Sequence, residues 1–395
     1  MGERFGPIDF EDFHVGELPR RAADVPDAEG RRLRPLAFRV DGRSFTYTLR
    51  PGGIDVVAGD DDAHTVVELA HADWCDFVWE LRTCFALFYA QKVAFPRGHF
   101  GHLAAWEPTL RAVFDGQAIY DLTDPPPVLA SSGAPLDLTE SFTLDDGDEA
   151  IADFLRRAGF VHLRGVFDAA EIASMRSDVE AAVARARPDD KRSWWTTVEG
   201  VEVCNRVNYL NDQSEFIAHL GHDPRMTRVA VCGGPDLLEA ADRLDGHGVV
   251  IKVPGADSGL ADLPWHRDCG MGGHSVKCPM LNVGIQLDAA TRGAGQLHVL
   301  AGSHLGTSRL PTPEETAGLP VLALDTEPGD VTVHFGHTLH AAPPPTDRGA
   351  AGRRALYLSY VPPLTFEMVG PGQGYNDVLF VRDAGRIHHV DELLA

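Results

Sequence analysis

Apolar and polar residues alternate at short range over the first third of the chain. Leu36-Ala37-Phe38-Arg39-Val40 predicts a strand, Asp41-Gly42 a tight turn, and Ser44-Phe45-Thr46-Tyr47-Thr48-Leu49 the hairpin partner. Pro51-Gly52-Gly53 turns the chain into a third strand over 54–59, and Thr65-Val66-Val67-Glu68-Leu69 reads as a fourth. The period then becomes helical. Trp74, Phe77, Val78, Leu81 and Phe85 share one face of a helix expected over 72–91, and Leu110, Val113 and Phe114 mark another within 106–120. Residues 1–34 are polar and irregular, which predicts a segment that wraps a surface or frays. The Pro-, Ser- and Gly-rich stretch over 124–135 marks a linker, placed at 123–144.

Beyond the linker an amphipathic helix is expected at 150–158, ended by Gly159, then a strand at 160–164 and a helix at 169–186. Strands dominate after residue 247, at 248–253, 281–287, 297–300, 330–335 and 353–361. Many short strands between Gly and Pro turns point to a sandwich or barrel. The fold class expected is mixed α and β. A C-terminal double-stranded β-helix (a cupin-like jelly roll) with flanking helices spans 145–395, and a smaller α+β domain spans 35–122. No internal repeat is visible.

Composition narrows the function classes. The 58 acidic against 35 basic side chains give a net charge of −23, a surface that repels nucleic-acid phosphates and anionic lipid headgroups. A small-molecule substrate is expected, with no nucleic-acid and no membrane partner. The six cysteines form no Cys-x-x-Cys pair, and the N-terminus lacks a secretory pattern. Reduced thiols in a cytoplasmic protein follow. Cys269 reads as a small buried filler beside Asp268.

The chemistry concentrates in His266-Arg267-Asp268 and in His340, 74 residues after His266. Two imidazoles and one carboxylate form the ligand set of a mononuclear non-haem Fe(II) site and leave one face of the metal open for a co-substrate and O2. An Arg in Arg353-Arg354 follows His340 by 13 residues. Its rigid fork suits a carboxylate, so the expected co-substrate is 2-oxoglutarate. Strand alternation puts Arg353 and Arg354 on opposite faces, and the pattern alone leaves the choice open. His334 and His337 lie in the same histidine-rich stretch, with spacing in favour of His340. His298 and His304 read as structural, Lys252 as solvated and His337 as a turn residue. Trp194, Trp195 and Trp265 read as core, and Asn205–Tyr209 as a polar run near the mouth. No serine-hydrolase elbow, dinucleotide fingerprint or phosphate loop is present.

Residues 145–362 resemble the phytanoyl-CoA dioxygenase family of Fe(II)/2-oxoglutarate oxygenases. The resemblance rests on Ala158-Gly159-Phe160-Val161-His162-Leu163-Arg164-Gly165-Val166 and Ile251-Lys252-Val253-Pro254-Gly255, followed by Leu263-Pro264-Trp265-His266-Arg267-Asp268. It continues through Gly293–His304 and Pro328–His340. It implies His266, Asp268 and His340 as iron ligands and Arg353 as the holder of the distal carboxylate of 2-oxoglutarate. Two departures stand out: Ala301 replaces a usual Pro, and Ala342 replaces the usual small hydroxylated residue two after the second histidine. Because Asp268 occupies its place, no ligand position is vacated for a halide. Hydroxylation, or desaturation, is favoured over halogenation. Residues 35–122 resemble sterol-carrier-protein-type domains more faintly, through Val40-Asp41-Gly42, Gly59 and Val66-Val67-Glu68-Leu69. The competing readings are an inactive lipid-binding or carrier protein and a cupin metalloenzyme that does not use 2-oxoglutarate.

Overall fold

The computed structural model describes residues 6–22, 33–241, 245–256, 263–268, 279–346, 352–368 and 376. Cys269 and Cys278 fall outside these residues. The chain opens with two short helices, α1 (Phe10–Asp12) and α2 (Leu18–Arg21), joined by a wider turn through Phe13–Glu17. The Asp9 carboxylate starts α1 by accepting from the backbone N–H groups of Glu11 and Asp12. Within the segment expected to be irregular over 1–34, residues 10–21 instead form these helical turns, with Phe10, Phe13 and Leu18 buried against the first sheet. A few anchors in a polar stretch are too sparse to raise a periodic signal.

That sheet has the order β3-β2-β1-β4-β5, built from β1 (Leu36–Val40), β2 (Arg43–Arg50), β3 (Gly53–Ala58), β4 (Thr65–Leu69) and β5 (Val93–Arg97). β1 lies parallel to β4, and the remaining pairs are antiparallel. Helices α3 (His71–Val78), α4 (Cys84–Tyr89) and α5 (Phe100–Asp115) cover one face and bury Trp74, Phe77, Trp106 and Leu110. The single helix expected over 72–91 is two helices. Glu80 takes a left-handed backbone with φ 58°, and the Thr83 hydroxyl then accepts from the Ala86 N–H to begin α4. Strand β5 was not expected, and its Pro96 is tolerated because β5 is an edge strand.

The second half begins with α6 (Asp148–Ala158), β6 (Phe160–Leu163) and α7 (Ala169–Arg185), where Asp168 and Glu171 form a capping box. A hairpin of β7 (Ser193–Val198) and β8 (Val201–Val207) follows, then α8 (Glu215–Leu220), α9 (Pro224–Gly233) and β9 (Leu238–Glu239). The remaining strands are β10 (Gly248–Lys252), β11 (Leu263–His266), β12 (Leu281–Gln286), β13 (Leu297–Leu300), β14 (Val321–Leu324), β15 (Val331–Phe335), β16 (His340–Ala342) and β17 (Arg353–Val361). They form two antiparallel sheets, the larger in the order β6-β15-β12-β17-β10-β8-β7 and the smaller in the order β11-β16-β13-β14. Among the described residues, no helix is long and apolar enough to cross a membrane.

The larger sheet has two unlike faces. Val249, Leu281, Val283, Ile285, Val331, Val333, Leu356 and Leu358 join Ile172, Met175 and Val179 of α7 in one apolar cluster. Alternation turns their neighbours to the other face: Thr332 and His334 on β15, Asn282, Gly284 and Gln286 on β12, Arg353 and Tyr357 on β17, and Lys252 on β10. Gly284 leaves room for this arrangement, since a Cβ there would lie 2.9 Å from Cε1 of Tyr357.

Gly159 links the first helix of this half to the turn before His340. It ends α6 with φ 84°, a left-handed conformation. Its carbonyl accepts from the Phe335 N–H at 3.1 Å and from the Thr338 hydroxyl at 2.7 Å. A Cβ would lie 2.8 Å from Oγ1 of Thr338 and would also strike His304. Gly159→Ala is expected to cost at least about 1–2 kcal/mol from the left-handed backbone alone. Urea unfolding with an unchanged m-value checks this; an unaltered midpoint would show that the backbone relaxes freely.

Candidate metal centre

His266 on β11 and His340 on β16 are direct cross-strand partners, which is how residues 74 apart come to share a site. Their ring centroids are 4.1 Å apart. Asp268 follows two residues after His266, and its backbone N–H donates to the Gly336 carbonyl at 2.8 Å. Between them Arg267 points elsewhere, with Nη1 donating to the carbonyls of Ser303 and His337 and Nη2 to the Ser308 hydroxyl. It thereby ties the β11 end to the turn that precedes β16. His266, Asp268 and His340 each offer one ligand atom, and these atoms all lie within 4.8 Å of one another.

The proton arrangement suits a cation. Nδ1 of His266 lies 2.7 Å from the Pro264 carbonyl, and Nδ1 of His340 lies 2.9 Å from that of Thr338. A carbonyl only accepts, so each ring carries a proton on Nδ1, and Nε2 is the nitrogen left to turn toward the carboxylate. Both Nε2 atoms face the Asp268 carboxylate, at 3.5 and 3.4 Å. Two imidazole nitrogens and one carboxylate converging at that range are the donor set that fits Fe(II).

Electrostatics keep the set ready. Burial alone would raise the Asp268 carboxyl, but the neighbouring His340 and His266 imidazoles and a hydrogen bond from His334 hold it well below the usual carboxylate range. Burial pushes the His340 imidazole well below its ordinary value, and His266 pushes the same way. The carboxylate is therefore ionised and His340 neutral near pH 7, so neither has a proton to lose on binding metal.

Two residues that the sequence reading did not assign to the site hold Asp268 in place. The Asn282 carboxamide donates to Oδ2 of Asp268 and accepts from the Ser359 hydroxyl at 3.0 Å. His334, only 1% exposed, places Nε2 3.3 Å from the same Oδ2. Asn282 and His334 are opposed in the β12–β15 register, so one step of strand alternation delivers both.

The two arginines part company. Arg354 faces outward, bound to Asp288 and Glu180. Arg353 is 2% exposed and turned to the polar face, with Nη1 donating to the Gly295 carbonyl at 2.7 Å and Nη2 to Oε1 of Gln286 at 3.2 Å. Lys252, expected to be solvated, is instead fully buried, because it stands opposite Arg353 on the same face. His337 is half-buried rather than solvated. His304 is structural, stacked on Phe335 with Nε2 at the Arg156 carbonyl. Within the polar run at 205–209, Arg206 pairs with Asp245 and Asn208 with Asn376.

The phytanoyl-CoA dioxygenase (PhyH) family matches residues 155–355, more than half of the 395-residue chain. The chain belongs to that family. This PhyH protein is an Fe(II)- and 2-oxoglutarate-dependent oxidoreductase that takes O2 as its other co-substrate. Solved structures similar to it include AviO1 from Streptomyces viridochromogenes Tue57, at 24% identity over 57% of this chain and 97% of that one, with a TM-score of 0.47. The epimerase SnoN, in complex with Fe3+, alpha ketoglutarate and nogalamycin RO, is 21% identical over 55% of this chain and 84% of its own, with a TM-score of 0.44. EctD from S. alaskensis, with 2-oxoglutarate and 5-hydroxyectoine, is 19% identical over 60% and 83%, with a TM-score of 0.45. No curated protein matches the chain.

Removing Asp268 as Asp268→Ala is expected to abolish Fe(II) binding in anaerobic calorimetry while the circular dichroism spectrum is kept. His334→Gln should weaken Fe(II) by about 10- to 100-fold, the usual cost of losing a residue that orients a ligand. Iron binding at the parent level in Asp268→Ala would remove this carboxylate from the site.

Proposed function

We propose that this PhyH-family enzyme hydroxylates an unactivated C–H of a small molecule, with Fe(II) held by His266, Asp268 and His340. The observation that carries the reading is the meeting of those three ligand atoms within 4.8 Å, beside a polar face on which Arg353 is buried. The overall reaction converts substrate C–H, 2-oxoglutarate and O2 into C–OH, succinate and CO2. Iron, when bound, supplies the oxidative decarboxylation of 2-oxoglutarate and the oxidation of the substrate C–H.

The protein's own residues place and hold. His266 and His340 turn Nε2 toward the iron position because their Nδ1 atoms are engaged by backbone carbonyls. Asn282 and His334 fix the rotation of the Asp268 carboxylate. Arg353 binds the distal carboxylate of 2-oxoglutarate. Gln286 orients that guanidinium, since its own Nε2 is engaged by the Gly284 carbonyl and the Thr332 hydroxyl, each at 3.1 Å, which leaves Oε1 for Arg353. A three-ligand set with Asp268 present supports hydroxylation over halogenation. We read the two antiparallel sheets as a cupin-like jelly roll spanning 145–395. Residues 35–122 form the smaller domain and 123–144 the linker between them.

Anaerobic addition of Fe(II) and then 2-oxoglutarate should produce a weak visible charge-transfer band. Arg353→Leu should shift its half-saturation upward by about 100-fold or more, since a charge-assisted bidentate contact is lost. Candidate small molecules are then screened by succinate release, with a product 16 mass units heavier expected for hydroxylation. A wild-type protein that binds iron yet shows no band with 2-oxoglutarate would refute the reading.

A further inference from the structure

His266 sits on an edge strand. β11 ends the smaller sheet and, among the described residues, pairs only with β16, with a break in register between Leu263 and His266. A short strand paired on one side depends on its side-chain packing to keep its place. Alternation turns His266 and His340 toward the metal centre and turns Trp265, Leu339 and Ala341 to the opposite side.

What covers that opposite side comes from the first domain. Gly116 ends α5 with φ 68°, and the chain leaves through residues 118–122. Tyr120 and Leu122 are buried in one apolar cluster with Trp265, Leu300, Leu339 and Ala341. The Tyr120 N–H donates to the Thr307 carbonyl and the Thr307 N–H to the Ala118 carbonyl, both at 2.8 Å. The Tyr120 hydroxyl donates to the Ala301 carbonyl at 3.3 Å. The fit is close, since a Cβ at Gly306 would lie 2.7 Å from the Ala118 carbonyl oxygen. Directly after Thr307, the Ser308 hydroxyl accepts from Arg267, the residue between two of the ligands. Arg267 also donates to the Ser303 carbonyl, and the Ser303 hydroxyl accepts from the Leu339 N–H at 2.8 Å, one residue before His340. The family match begins at residue 155, so residues 118–122 lie outside the span it covers.

We propose that Tyr120 and Leu122 are positioning residues for the metal centre, through which the first domain steadies the strands that carry His266 and His340. They act through Trp265 and Leu339, not by contact with iron. A close-packed interior passes a displacement on, because it has little free volume to absorb one. Without the Tyr120 ring, Trp265 is free to shift, and the His266 backbone moves with it. This inference rests on the metal-ligand reading above and extends it to a segment of the first domain.

The test uses the full chain under anaerobic conditions, with Fe(II) alone as the probe. Tyr120→Ala should raise the Kd for Fe(II) by about 10-fold in calorimetry, the lower end of the cost of losing a group that orients a ligand. Tyr120→Phe keeps the ring and should stay within about twofold of the parent, since a single neutral hydrogen bond is all it loses. Val40→Ala, in the core of the first sheet, should lower the urea midpoint and leave the Kd for Fe(II) unchanged. Coupling is reciprocal, so a segment that steadies the site must itself be steadied by iron. In the wild-type protein, saturating Fe(II) should therefore slow hydrogen exchange in a peptide covering 117–123 by up to about 10-fold. That measurement decides the matter if Tyr120→Ala does not fold. A parent-level Kd in Tyr120→Ala, the same rise in Val40→Ala, or slowing no greater than that of the β2–β3 hairpin overturns the proposal and leaves the ligand set standing. A wild-type protein that binds no Fe(II) overturns both.

Discussion

The centre of this protein depends on one constraint, the pairing of β11 with β16. His266 and His340 face each other across the β11–β16 pair, and each gives its Nδ1 proton to the backbone carbonyl two residues earlier in the chain. That local habit turns both Nε2 atoms toward the Asp268 carboxylate. Two imidazole nitrogens and a carboxylate gathered within 4.8 Å are the donor set that a divalent cation answers. The strand pairing makes the distance short, and the backbone carbonyls fix which ring nitrogen turns inward.

Holding that arrangement falls to a sheet with two characters. On β12, β15 and β17 every second residue enters an apolar cluster shared with α7, while the residues between them build a polar face. Burial of the apolar side, at roughly 25 cal/mol per Å2, fixes the register. A one-residue slip would bury Asn282, Gln286 and His334 in oil and lift Leu281, Val283 and Ile285 out of it. The orientation of Asp268 and of Arg353 is therefore stabilised at a distance by side chains that never touch them. The same logic explains Gly284 and Gly295, which leave space on the polar face for Tyr357 and for Lys252.

Much of the site could be read before any fold was known. His266, Asp268 and His340 carry the chemistry in their side chains, and their order and spacing are visible in one dimension. Asn282 and Gln286 also left a signal, since polar residues at alternate positions of an apolar strand mark a face that must be answered by polar partners. His334 was visible as a polar break within β15, but its partner Asp268 is 66 residues away in sequence. The helix expected over 72–91 was misread because its break rests on a left-handed Glu80, a position where glycine would have given warning and glutamate does not. The helical anchors at Phe10, Phe13 and Leu18 were missed because their value lies in the core they meet, not in their own spacing.

By itself the sequence determined which atoms can bind metal, which stretches alternate and which faces exist on each strand, because those properties belong to residue types and to local period. Tertiary structure alone decided which face looks inward. That choice turned Arg353 to the polar side and Arg354 to Asp288, took Lys252 out of solvent, and placed Asn282 and His334 behind Asp268. Alternation is symmetric between the two sides of a strand. The symmetry is broken only when helices and a second sheet arrive to cover one side, and that is a long-range event no local pattern records.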